Sequence, residues 1–226
     1  MSENYKIILD EHELNKFVNW LPELNANEVY YLTLISRKKY GGPVSNIQVK
    51  NFTAHKNNII SKIKQLQCEV GSYTFRGVPI PPESLALYIM PNPRNLELSI
   101  KKSLIDFINI ITKSYNNENP TNLILSNIQK SKGSNYFVDF DFDNIDIESI
   151  QSKLSDVINL DCVSIVKTKS GFHLLVALQK ISSEYKKTWY NNIKALSGSD
   201  KSGDQLLPIP GCTQGNFIPK ITNFKL

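Results

Sequence analysis

Two aspartates stand at alternating positions in a short apolar segment, residues 136–142, with the order Tyr-Phe-Val-Asp-Phe-Asp-Phe. Apolar residues of this kind predict a β-strand, in which Asp139 and Asp141 point to one face and the flanking apolar side chains point to the core. Neighbouring carboxylates repel each other unless positive charge lies between them, and Mg²⁺ and Mn²⁺ take oxygen ligands. The pattern therefore indicates a metal site. The alternative is an exposed edge strand with solvated acids.

A second candidate segment, residues 168–173, connects two predicted strands and has the order Thr-Lys-Ser-Gly-Phe-His. Gly171 allows close approach of the backbone to a ligand, and Ser170 and the turn amides can donate hydrogen bonds to phosphate oxygens. His173 and Lys169 can place positive charge beside a phosphate. The alternative is an ordinary Ser-Gly turn followed by a histidine at the start of a strand.

A third acid, Asp204, precedes the stretch Leu-Leu-Pro-Ile-Pro-Gly at residues 206–211. It could complete a three-carboxylate metal site, and Asp200 is the competing candidate. The alternative is a solvent-exposed loop followed by an extended proline-rich segment.

The order of the three segments resembles the archaeo-eukaryotic primase superfamily, and in particular the small primase-polymerase domains of viruses and plasmids. The resemblance covers residues 136–221 and extends upstream to residues 37–40 and 87–94, which are similar to a phage-type branch. It implies a sheet like that of the RNA-recognition motif in a catalytic lobe, residues 119–226, joined to an N-terminal α/β lobe, residues 1–118, in one domain.

The resemblance implies a DNA primase or primase-polymerase that performs template-directed nucleotidyl transfer by a two-metal mechanism in viral or plasmid replication. The expected partners are a single-stranded DNA template, nucleoside triphosphates (NTP or dNTP) and a separate helicase, because the chain has no G-x-x-x-x-G-K-[ST] motif. Proline stands at position 208, where many relatives have arginine, so a contact made by that arginine must come from elsewhere.

The resemblance also implies roles for individual residues. Two ions, Mg²⁺ or Mn²⁺, are expected on Asp139, Asp141 and Asp204, which with His173 form the catalytic set. Ser170, Gly171 and His173 are expected at the triphosphate. The cations assigned to nucleotide phosphates or to the template backbone are Lys169, Arg37, Lys38 and Arg94, with a solvated basic surface as the alternative reading.

Three other functions remain open from the sequence. A repair-type polymerase of the same superfamily would extend existing ends without initiating. A non-catalytic nucleic-acid-binding replication protein would keep the fold and bind DNA. A metal-dependent nuclease would use the same carboxylates for hydrolysis.

The composition permits a nucleic-acid partner without requiring one. The 226 residues carry 26 Lys and Arg against 21 Asp and Glu, a net charge of +5, and 41% are hydrophobic. No run approaches the roughly 18 apolar residues of a membrane span, so we expect no membrane partner. The absence of a signal peptide and the three scattered cysteines suit the cytoplasm, that of the host cell if the protein is viral.

Hydrophobic spacing predicts an α/β (α+β) fold of two layers, with an antiparallel or mixed sheet and helices on one face. Helices are predicted at residues 11–21, 57–66, 96–111, 120–130, 147–158 and 183–196, the first with Asp10 as its N-cap. Strands are predicted at residues 29–36, 85–90, 136–142, 163–168 and 173–178. Residues 197–203 are predicted to form a polar loop, and the tail from residue 205 is predicted to be irregular.

Overall fold

The computed structural model describes residues 3–43, 45–112, 119–196 and 199–223. The α-helices are α1 (Glu11–Trp20), α2 (Ile59–Lys64), α3 (Leu96–Thr112), α4 (Pro120–Lys130), α5 (Glu148–Leu154) and α6 (Trp189–Lys194). The strands are β1 (Glu28–Ser36), β2 (Ile47–Ala54), β3 (Thr74–Phe75), β4 (Val78–Pro79), β5 (Leu85–Ile89), β6 (Arg94–Asn95), β7 (Phe137–Asp143), β8 (Val163–Lys167), β9 (Gly171–Ala177), β10 (Ser199–Gly203), β11 (Leu207–Pro208) and β12 (Lys220–Asn223).

The first sheet has the strand order β11-β5-β1-β2, and β6 also pairs with β1. Every residue of β1 is buried, because both faces of this central strand are covered. One face packs against α1 and α2, and the other contributes Val29 and Tyr31 to a cluster with Ile128 of α4. Asp10 caps α1 by accepting a hydrogen bond from the backbone N–H of Glu13, as predicted.

The second sheet has the strand order β10-β7-β9-β8-β12. Its first four strands follow the chain as β7-α5-β8-β9-α6-β10, which is the β-α-β-β-α-β arrangement of ferredoxin-like and RNA-recognition-motif folds. Phe140 and Phe142 pack with residues of α5 and α6 on one face. The predicted α+β fold is therefore confirmed, with antiparallel pairing of the strands throughout the described residues.

The opposite face of the second sheet shares a hydrophobic core with the first sheet. Phe137, Val166 and Leu175 lie in one cluster with Leu32 of β1 and Phe17 of α1. Strand β11, from the C-terminal part of the chain, pairs with β5 of the first sheet, and α4 packs against α3. The boundary drawn at residue 118 therefore does not separate the elements of the two sheets.

Several sequence predictions were wrong in detail. The predicted polar loop at residues 197–203 contains β10, which pairs with β7, because an unpaired edge of a buried strand offers backbone partners whatever the side chains are. The tail contains two strands, β11 and β12, and β2 was not predicted, although half of its residues are apolar. Helices α2, α5 and α6 are shorter than predicted.

Within the described residues, the structure contains no helix that combines the length and the apolar character needed to cross a bilayer.

Candidate functional site

The centre of the candidate site is a contact between Asp139 on β7 and His173 on the neighbouring strand β9. The imidazole Nδ1 of His173 lies 2.9 Å from Oδ2 and 3.0 Å from Oδ1 of Asp139, and both side chains are buried. The two residues share a face because β7 pairs with β9 so that Asp141 lies opposite His173. The structure therefore brings together the two motifs that the sequence placed more than 30 positions apart.

Asp141 lies on the other side of the same imidazole. Its Oδ1 is 3.6 Å from Nε2 of His173, and 23% of its side chain is exposed. The positive group that two neighbouring carboxylates require is thus supplied, at least in part, by a side chain of the protein.

The charge state of His173 follows from this arrangement. Burial lowers the pKa of the imidazole, whereas the negative charge of Asp139, together with that of Asp141 and Asp143, raises it. The net result is a raised pKa, so the protonated imidazolium is favoured between the carboxylates.

Asp204 follows β10 and lies beside the same site, because Gly203 is the register partner of Asp139. Its carboxylate is paired with Arg94 of β6, with 2.6 Å between Oδ2 and Nη2. Asn92 Nδ2 also donates to Oδ1 of Asp204, at 3.4 Å. Arg94 is 1% exposed and Asp204 13%, so the pair is largely withdrawn from water. The competing acid, Asp200, lies on β10, and only its backbone is described.

Asn92 is a residue whose role the sequence did not reveal. Its side-chain oxygen accepts hydrogen bonds from the backbone N–H groups of Tyr136 and Phe137, both at 2.9 Å. Its amide donates to the carbonyl of Phe137 at 2.9 Å, as well as to Asp204. Asn92 therefore holds both the start of β7 and the carboxylate of Asp204 in place. The Pro-Asn-Pro-Arg order after β5 was the only signal that could have pointed to it.

The hairpin between β8 and β9 forms as predicted, and its turn contacts β7. A Cβ at Gly171 would overlap the carbonyl oxygen of Phe142, so glycine is required for the pairing of β7 with β9. Ser170 Oγ donates to Oδ1 of Asp143 at 3.1 Å. Both residues therefore tie the hairpin to β7.

Lys169 connects the hairpin to the segment after β11. Its ammonium donates to the carbonyl of Gly215 at 2.5 Å and lies 4.6 Å from the ring centroid of Tyr40. Its backbone N–H donates to Oε1 of the buried Gln214 at 2.9 Å. Because Gly215 has a φ of 61° and a Cβ there would overlap the ring of Tyr40, glycine is required at this contact too.

Arg37 reaches the site from the end of β1. Its guanidinium carbon lies 5.6 Å from the ring centroid of Tyr88. Burial raises the pKa of Tyr88, while the positive charge of Arg37 acts to lower it and the negative charge of Asp141 to raise it. Arg37 Nε and the Tyr40 hydroxyl are buried without a hydrogen-bond partner within the described residues. Lys38, in contrast, is exposed.

The carboxylates of the cluster are the side chains expected to hold a metal ion. Asp139 and Asp141 present hard carboxylate oxygens on one face of β7, which suits Mg²⁺ or Mn²⁺. Asp204 is engaged by Arg94, and no cluster of three or more His, Cys, Asp or Glu side chains in the described part of the chain is placed to hold a metal ion. The two acids that share a face of β7, Asp139 and Asp141, are therefore the candidates to hold an ion, and both contact His173.

Two cavities lie near this cluster. One of about 270 Å³ borders the hairpin turn, where Lys167, Lys169 and Ser170 line it. Another, of about 530 Å³, lies at the other end of the same sheet, beside Trp20 and Phe137. Neither of these two cavities has Asp139, Asp141 or His173 in its lining.

No protein-family model, curated protein or solved structure matches this chain.

Proposed function

We propose that this protein is a primase-polymerase, which joins nucleotides on a single-stranded DNA template during viral or plasmid replication. The observation that carries the proposal is the cluster of Asp139, Asp141 and His173 on the two central strands of a β-α-β-β-α-β sheet. Helices α5 and α6 cover the other face of that sheet, whereas the face with the cluster packs against the first sheet and α1, so the cluster lies at the junction of the two sheets.

Asp139 and Asp141 are the residues that would hold a divalent cation. Such an ion lowers the pKa of an attacking 3′-hydroxyl and neutralises charge on the phosphates. His173 donates Nδ1–H to Asp139 and thereby holds that carboxylate in one orientation. Its raised pKa also keeps positive charge beside Asp141, where a triphosphate would add negative charge.

Arg37 is the cation best placed to meet a phosphate of the nucleotide or of the template. It follows β1 of the first sheet, its guanidinium carbon lies 5.6 Å from the ring centroid of Tyr88, and its buried Nε has no hydrogen-bond partner in the described part of the protein. Lys169 and Arg94 already contact Gly215 and Asp204. In this proposal they join the two sheets and shape the site, and a separate helicase supplies the single strand.

The test is synthesis on unprimed and on primed single-stranded DNA with Mg²⁺ or Mn²⁺ and labelled nucleotides. Wild-type protein is compared with the variant Asp139→Asn plus Asp141→Asn, and with Asp156→Asn, an exposed acid away from the cluster, as the matched control. We expect new short products from wild type and from Asp156→Asn only. Extension of a primer without initiation would identify a repair-type polymerase, and degradation without nucleotides would identify a nuclease.

A non-catalytic DNA-binding role is the second candidate. The observation that favours it is the ion pair of Asp204 with Arg94, which engages the carboxylate expected to complete the metal site. DNA binding without any synthesis, and without an effect of the acid substitutions on binding, would support this candidate and exclude the first.

A further inference from the structure

Helix α3 exposes most of its apolar side chains to solvent. Six of them are between 47% and 81% exposed: Leu98, Ile100, Leu104, Ile105, Ile108 and Ile111. We refer to these six side chains as the α3 apolar face. The residues that α3 buries are instead small and polar, Ser99 and Ser103, so the helix has the reverse of the usual amphipathic arrangement.

The contact of α3 with its neighbour α4 explains this reversal. Asn127 of α4 donates to Ser103 Oγ at 3.2 Å and to Asp106 Oδ2 at 2.8 Å. The inner side of α3 thus makes polar contacts, while the six residues of the α3 apolar face point to solvent. An apolar face of this kind on a globular protein marks an interaction site.

We propose that the α3 apolar face is the interface of a homodimer, in which α3 packs antiparallel against α3 of a second copy of this chain. The six exposed side chains leave on the order of 600 Å² of apolar surface open, close to the roughly 800 Å² per partner of a standard interface. The helix itself is about 25 Å long, enough for such a contact.

The placement of the six residues selects a second copy as the partner. Leu98 and Ile111 lie at equal distances from the midpoint between Leu104 and Ile105, and Ile100 and Ile108 do so to within one residue. A twofold axis through that midpoint therefore sets apolar residues of one copy against apolar residues of the other. This is the self-complementarity that an isologous dimer requires.

The charges on α3 select the antiparallel orientation. The exposed charged residues Glu97, Lys101 and Lys102 all lie in the first half of the helix, and Glu97 already pairs with Lys101 at 2.6 Å. A parallel arrangement would place the lysines of both copies side by side. The antiparallel arrangement instead keeps the lysines of the two copies at opposite ends of the interface.

The first test measures the mass of the full chain in solution from low to high micromolar concentration. Wild type is expected to reach the mass of two chains, and Leu104→Glu plus Ile108→Glu to stay at the mass of one. The matched control is Val78→Glu, since Val78 is 65% exposed but lies on β4, away from α3, and should still dimerise. A single-chain mass for wild type at every concentration would overturn the proposal, as would loss of the dimer in the control.

The second test uses a smaller change, in case two buried-interface glutamates disturb folding. Both variants are made in a Cys68→Ser background. Leu104→Cys places the new thiols of the two chains close together beside the twofold axis, whereas Leu98→Cys places the two new thiols far apart at opposite ends of the interface. Oxidation should therefore link Leu104→Cys chains several-fold more completely than Leu98→Cys chains. Equal linking of the two variants, or none of either, would contradict the antiparallel dimer, and neither readout depends on catalysis.

Discussion

Arg94 Nη2 lies 2.6 Å from Asp204 Oδ2, and this buried ion pair joins β6 of the first sheet to the end of β10 in the second. Both residues were expected from the sequence to contact a ligand, Arg94 as a phosphate-binding cation and Asp204 as a metal ligand. The structure shows them contacting each other, next to the Asp139–His173 pair.

Removal of either partner of this ion pair should destabilise the fold. Arg94→Met or Asp204→Ala leaves an uncompensated buried charge, and we expect a loss of about 3–5 kcal/mol in the free energy of unfolding. The double variant should lose less than the sum of the two. Urea denaturation measures these changes, with the exposed Lys64–Glu11 pair as the control, where Lys64→Ala should cost less than about 1 kcal/mol. Additive losses in the double variant would show that the two side chains do not interact.

Binding of a divalent cation should depend on Asp139 and Asp141 more than on Asp204. The carboxylate of Asp204 is already paired, whereas the first two share a face of β7. Calorimetric titration with Mn²⁺ is expected to show binding that Asp141→Asn abolishes and that Asp204→Asn weakens only slightly. Equal loss in both variants would instead make Asp204 a metal ligand, which requires Arg94 to release it.

Substitution of Gly171 should reduce stability through the contact of β7 with β9. An alanine Cβ would overlap the carbonyl of Phe142, so we expect a loss of about 1–3 kcal/mol for Gly171→Ala. Ser170→Ala, at the adjacent position, removes only the hydrogen bond from Ser170 to Asp143, so its loss of stability should be smaller. Thermal denaturation compares the two variants. If Gly171→Ala were as stable as wild type, β7 and β9 would have to lie farther apart at this position.

Only one of the three thiols should react in the folded protein. Burial raises the pKa of Cys162 to about 11 and raises that of Cys212 further, and raised values favour the unreactive thiol form. Cys68 is half-buried. Raising the pH from neutral to about 9 should therefore leave Cys162 and Cys212 unreactive towards a thiol reagent, since that pH is still below about 11. Cys68→Ser should then show no reaction until denaturant is added, and reaction of two thiols in the native state would contradict the core packing.

The sequence predicted the parts of the site that depend on local pattern. The alternation around Asp139 and Asp141 fixed a strand with both acids on one face, and the hairpin before His173 was evident from its turn residues. The contacts of Asn92, Gln214 and Arg94 could not be predicted, because they join segments more than 40 positions apart along the chain. The outward orientation of the isoleucines of α3 has the same cause, since periodicity identifies a helix but not the element that it packs against.

The proposed polymerase activity depends most directly on chemistry at the Asp139–Asp141–His173 cluster. The decisive measurement compares nucleotide incorporation with DNA binding for wild type and for Asp139→Asn plus Asp141→Asn, on the same unprimed single-stranded template. We predict that incorporation falls at least about a thousandfold while DNA affinity changes only a few-fold, since the two acids stabilise charge during transfer and are not needed for contact with the template. Incorporation that survives in the double variant, with binding unchanged, would contradict the account.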